Sequence, residues 1–208
     1  MTFYDFLEKG GPLMFAVGAC SIVALTMFLE RIIGLSRVKV LPPDFTRTLL
    51  KLIHSGDLSQ AETACLKSES AISGIAFVAL KHNGRDRSVL RQVTEERGAL
   101  EVARLERGVG VVGTMATIAP LLGLLGTVTG MIQVFKKISE EADPQIDVLA
   151  GGIWEALVST GAGLTVAIPC YVAYRYLLGR VDQASMQLEE TTIDIIDALD
   201  MEQRKASE

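Results

Sequence analysis

Charge is missing from three long stretches of this 208-residue chain. Residues 10–29 and 108–135 carry none, and residues 148–174 carry only Glu155. Each meets the roughly 20 apolar residues that a helix needs to cross a bilayer core. A basic excess is also lacking. The formal net charge is −5 and the pI near 5.2, which gives no reason to expect a nucleic-acid partner. Cysteine is scarce and odd in number: Cys20 and Cys170 fall inside apolar stretches and Cys65 lies between them. That pattern argues against a disulfide framework and reads as small buried residues. The two histidines, His54 and His82, stand alone, without a partner at metal-ligand spacing. No nucleophile–base pair or ligand cluster is visible, so an enzyme is not expected, and neither a metal nor a cofactor. Alternation of apolar and polar residues is absent as well, which leaves an all-α protein. The first apolar stretch lacks the basic start and small-residue cleavage site of a secretory signal. Asp5, Glu8 and Lys9 precede it and Glu30 and Arg31 follow, so it is read as a retained span.

What is present fits those exclusions. Hydrophobic residues make up 49% of the chain and the mean hydropathy is +0.34, too apolar for an ordinary soluble domain. The expectation is three transmembrane helices, over 10–33, 108–135 and 148–178. A helical cytoplasmic region lies over 34–107, a short outer loop over 136–147 and a cytoplasmic C-terminal helix over 179–208. Basic residues set the orientation. Arg31, Arg37, Lys39, Arg97, Arg104, Arg107, Arg175 and Arg180 flank the spans on one side. The other side has Lys9, and Lys136 and Lys137 in a loop shared with Glu140, Glu141, Asp143 and Asp147. The N-terminus (1–9) is therefore expected outside and the C-terminus inside.

Within 34–107 the punctuation is that of short helices. Asp44, after Pro42-Pro43, is a candidate cap for a helix stopping at Gly56. Asp57 is a candidate cap for the next, with Leu58, Ala61, Ala64 and Cys65 on one side, and Asn83-Gly84 closes a third. From Ser88 to Lys137 the pattern is helical without a strong stop, which predicts a continuous helix projecting from the membrane. After Leu178, Val181, Leu188 and Ile195 recur every seven residues. Ala184, Ser185, Thr192 and Leu199 widen the stripe, giving an amphipathic extension suited to bundling with the extension of the second span. Trp154 and Tyr171, Tyr174 and Tyr176 match interfacial aromatic belts. Pro120 and Pro169 lie within spans, where neighbouring helices can satisfy the carbonyls they release.

The spans hold two kinds of informative residue. Gly123, Gly126 and Gly130 in the second, and Gly161, Ala162, Gly163 and Ala167 in the third, form small faces for close helix packing in lipid. Thr127, Thr129, Ser159, Thr160 and Thr165 add hydroxyls, each of which ordinarily back-bonds to its own helix. Glu155 is different. An acidic residue in a span costs a few kcal/mol even on modest insertion scales, and so normally faces a cavity or a partner. Its place near the outer end also lets it snorkel outward in part.

The two segments APLLGLLGTVTGMIQVF and WEALVSTGAGLTVAIPCYVAY together resemble the paired signature of the MotA/TolQ/ExbB proton-channel family. GDLSQAETACLKSES resembles the cytoplasmic region of its ExbB branch. Flagellar MotA-type members have four spans and a larger cytoplasmic domain, and fit poorly. The resemblance implies a homopentamer in a bacterial inner (plasma) membrane. Its pore would hold a dimer of an ExbD/TolR-like single-span protein whose aspartate takes and releases protons. The pair would drive a TonB/TolA-like transducer, with the lipid bilayer as the other partner. Thr127 matches the family's pore threonine of the second span, and Glu155 and Thr160 match the glutamate and threonine of the third. Glu155 and Thr160 are five positions apart, about 140° around a helix, so they cannot both face one axis. Thr160 is the better candidate to face the partner aspartate, and Glu155 to lie at a subunit seam or pore rim. Ser159 beside Thr160 adds a second hydroxyl, which keeps sodium open beside the proton. A TolQ-type subunit for envelope maintenance and a non-conducting helical scaffold remain as alternatives.

Overall fold

The computed structural model describes residues 12–36, 40–140 and 146–207. Seven helices hold the described chain: α1 (Pro12–Gly34), α2 (Pro43–His54), α3 (Leu58–Lys67), α4 (Ala71–Lys81), α5 (Arg87–Glu106), α6 (Val109–Glu140) and α7 (Ile146–Ser207). No strand occurs among the described residues. The helices form two compact bodies. One joins Met1–Arg31 with Gly108–Leu177, and the other joins Ile32–Arg107 with Leu178–Glu208.

In the second body local chemistry sets the helix ends. Pro43 opens α2, where a missing N–H is no loss. The expected cap Asp44 instead sits inside the first turn, after Pro42 at the cap, and makes no capping hydrogen bond. Proline's fixed φ starts the helix two residues earlier, and the carboxylate then complements the helix dipole. Asp57 does cap α3, its Oδ1 accepting from the Gln60 N–H at 3.0 Å. Ser70 caps α4 through the Ser73 N–H at 3.3 Å. Gly56 and Gly84 end their helices at φ 75° and 87°, values a side chain would resist.

The helix predicted to run continuously from Ser88 to Lys137 is instead broken in two. The chain leaves the helix after Glu106 and re-enters it at Val109, because Gly108 adopts φ 88°. One glycine among seven in this segment supplies the stop, and its φ could not be read from a helical pattern.

The stripe on α7 is buried: Val181, Leu188, Ile195 and Leu199 are at most 2% exposed. It meets more than the extension of the second span. The same apolar core takes Leu49 and Ile53 of α2, Cys65 of α3, Ile72 and Ile75 of α4 and Leu90 of α5. Burying each large aliphatic side chain contributes about 1.5–3 kcal/mol. The rim is polar: Arg87 donates to Asp200 at 2.8 Å and also pairs with Asp197, and Gln203 donates to Asn83 at 2.6 Å. On α5, Glu101 is buried between Arg97 and Arg104, close against Gly74 of α4.

The first body contains the three helices long and apolar enough to cross a membrane: α1, α6 and the first part of α7. In α1 only 17% of the most apolar window is buried, and in α6 and α7 33%. Phe15, Ile22, Leu121, Ile132, Leu157 and Ile168 are all more than half exposed, as expected of faces that meet lipid or other chains.

Candidate functional site

The sequence places glycine wherever α6 and α7 come closest. On α6, Ala119, Gly123, Gly126, Gly130 and Val134 recur at helical spacing and form one face. Across it run Gly152, Ala156, Ser159, Thr160 and Gly163 of α7, in antiparallel order. A Cβ on Gly123 would lie 2.9 Å from the Ser159 carbonyl oxygen and 3.0 Å from the Thr160 Cα. One on Gly163 would lie 2.6 Å from the Ala119 carbonyl oxygen, and one on Gly130 2.9 Å from the Ala156 Cβ. A Cβ on Gly126 would overlap the Ser159 hydroxyl. Backbone contact replaces the apolar drive that lipid does not supply. Gly161 lies off this seam, with nothing within 4 Å of its Cβ position.

The hydroxyls divide by what they bond. Thr129 and Thr165 back-bond to Leu125 and Gly161 of their own helices at 2.9 and 2.8 Å. Thr127 donates to the Leu124 carbonyl at 2.7 Å. Thr160 crosses the seam and donates to the Gly123 carbonyl at 3.0 Å, fixing the register of α6 against α7. Ser159 is 1% exposed, and its Oγ has no partner. Glu155 is half-buried and makes no hydrogen bond or ion pair among the described residues.

Helix α1 covers one flank of the seam. Its Ala24 packs with Ala116 and Cys170, beside Met115 and Val166, and its Leu13 lies near Gly126. Glu155 shares the Val166 face of α7, one turn from Ser159 and two from Ala162. Helix geometry puts Thr127 and Thr160 on the opposite flank. Leu124 on α6 and Leu157, Leu164 and Tyr171 on α7 stand beside them, all more than 40% exposed. The structure thus brings Thr127 and Thr160 to one open side and leaves Glu155 on the other, with Ser159 between. Of the expected aromatic belt, Trp154, Tyr171 and Tyr176 are more than half exposed. Tyr174 turns inward over Gly113, where its ring needs the absent side chain. No cluster of three metal-binding side chains occurs among the described residues.

Three helices long and apolar enough to cross a membrane, two of them joined along a glycine seam, define an all-helical membrane protein. Residues 67–190 match the MotA/TolQ/ExbB proton channel family, and the chain belongs to it. It is 30% identical over 189 residues to a biopolymer transport protein ExbB homolog of Methanothermobacter thermautotrophicus, covering 90% of this chain and 67% of that one. It is 33% identical to the biopolymer transport protein ExbB-like 1 of Synechocystis sp., over 86% of this chain and 72% of the relative. A shorter match, 39% identical over 82 residues, is to the Tol-Pal system protein TolQ of Haemophilus influenzae, covering 39% of this chain and 36% of TolQ. Sequence reasoning missed the role of Gly108 and the isolation of the Ser159 hydroxyl. The first has no signal beyond one glycine among many. The second could have been suspected from a polar residue on the small-residue face.

Proposed function

We propose that the chain is the ExbB-like, ion-conducting subunit of a motor in the inner (plasma) membrane, coupling ion flow, most simply of protons, to work on an envelope partner such as a TonB-like transducer. Thr127 and Thr160 line the ion path, and Glu155 acts at its rim. The observation that carries this reading is the shared, open flank of the two threonines, turned away from α1. A helix from a partner chain seated there would meet both hydroxyls. Each hydroxyl proton is held by a backbone carbonyl, so lone pairs are what the site offers outward. Those accept from a protonated carboxyl of an ExbD/TolR-like helix. To bind the ionised form, Thr160 must release the Gly123 carbonyl, which ties the partner's charge state to the α6–α7 register. A homopentamer around a dimer of that partner suits the low burial of the spans. The match to TolQ supports a second reading, a TolQ-type subunit in envelope maintenance.

The test is co-expression with a single-span partner bearing one intramembrane Asp, followed by flux in liposomes under separate proton and sodium gradients. The complex should co-purify and pass protons, and Thr160→Val with Thr127→Val should lower flux more than either change alone. Each lost hydrogen bond is worth about 0.5–1.5 kcal/mol, or roughly two- to twelvefold in rate. Full flux in the double variant with an intact complex would favour a scaffold instead.

A further inference from the structure

Ser159 is a buried group that the reading above leaves without a task. Among the described residues its Oγ is the one buried side-chain oxygen lacking a hydrogen-bond partner. Buried hydroxyls without partners are rare, and each asks for a cause. The usual remedy in a span is a bond to the carbonyl four residues back, which Thr26, Thr114, Thr117, Thr129 and Thr165 all use. Ser159 does not, because its hydroxyl is turned into the space left by the missing side chain of Gly126. One turn away on α7 stands Glu155, half-buried and without a hydrogen-bond or ion-pair partner among the described residues. Residues four apart on a helix have Cβ atoms about 5–6 Å apart, within reach of a glutamate's arm. Two polar groups without partners, adjacent on one face in an apolar setting, satisfy each other best.

We infer that Ser159 is a positioning residue for Glu155, its hydroxyl bonding the Glu155 carboxyl and drawing it in toward the α6–α7 seam. When the carboxyl is ionised, Ser159 donates. When it is protonated, the hydroxyl also has lone pairs to accept from it. Gly126 is the enabling residue, since any side chain there would take the volume the hydroxyl occupies. The pairing gives the glutamate a fixed place instead of an outward, snorkelling one. It also links Glu155 to the same seam that Thr160 locks from the other flank.

The experiment is infrared difference spectroscopy on the full-length protein in lipid, recorded through an acid titration. The Glu155 carboxyl C=O band is assigned by its loss in Glu155→Gln. In Ser159→Ala that band should move to higher frequency, as for a carbonyl released from a hydrogen bond, while Thr160→Val leaves it in place. Ser159→Gly, which empties the same space, should give the same shift should the alanine variant assemble poorly. A Glu155 band unchanged in both Ser159 variants would overturn the inference. The spectral result does not depend on the ion-path reading, whereas flux does. A shifted band with a roughly two- to twelvefold fall in flux supports both. A shifted band with full flux keeps the pairing and removes Glu155 from the ion path.

Discussion

At the scale of single residues, glycines of similar sequence context have opposite surroundings. Gly126 and Gly161 both lie in apolar, glycine-rich segments, yet a Cβ on the first collides with Ser159 and one on the second meets nothing within 4 Å. Gly126→Ala should therefore destabilise the α6–α7 pair by about 1–3 kcal/mol through overpacking. Gly161→Ala should be neutral or slightly stabilising within the chain, because alanine is the better helix former. Thermal unfolding in detergent would measure both. Combining Gly126→Ala with Ser159→Gly should recover most of the loss, since the clash is with that one side chain. No recovery would mean that the damage arises elsewhere along α6. Sequence alone marks both glycines as candidates for packing. Only the rotation of each helix tells which of them does the packing within the chain.

Helices show the same division between what is written locally and what is imposed. Asp57 caps α3 as its sequence context suggests, and Ser70 caps α4 in the same way, because capping is settled within one turn. Cys65 on α3 depends on distant partners. Its thiol is pushed up to about 11, first by burial in the core beneath α7 and then by the nearby Glu62 carboxylate. The thiol should resist alkylation near neutral pH until the protein unfolds. The sign of the pH effect follows. Above the ordinary value of 9.0 the unfolded thiol loses its proton while the folded one keeps it, so the unfolded state binds fewer protons. The native protein should lose stability between pH 9 and about 11, by more than a Cys65→Ala variant loses over the same range. Parallel denaturation curves of the two proteins across that window check this. Equal losses would place the titrating group elsewhere.

For the whole molecule, the exposed apolar surface matters most. Two thirds of the most apolar windows of α6 and of α7 remain unburied, as does most of α1. Lipid covers some of that surface, and copies of the chain are proposed to cover the rest. Orientation is a separate proposal, resting on where the arginines and lysines fall. In a background with the three native cysteines replaced, a cysteine at Ala142 should be labelled from outside and one at Ser207 only from inside. Ala142 lies outside the described residues, so its place is argued from charge alone. Labelling of both from one side would reverse or discard the topology.

The sequence by itself determined the three apolar helices, the all-helical class, the Asp57 cap of α3 and the family. These follow from hydropathy, short-range hydrogen bonding and motif, all encoded within a few turns of chain. The tertiary structure decided which flank each polar residue occupies. Thr127 and Thr160, on different helices, come to one open side only because the glycine faces set the α6–α7 register. Glu155 falls to the α1 side, five residues from Thr160, because the helix turns about 100° per residue. It also decided that Gly108 ends a helix the pattern would have continued. A Cβ at Gly108 would also run into Met27 and Arg31 of α1, and no local pattern reveals that distant crowding.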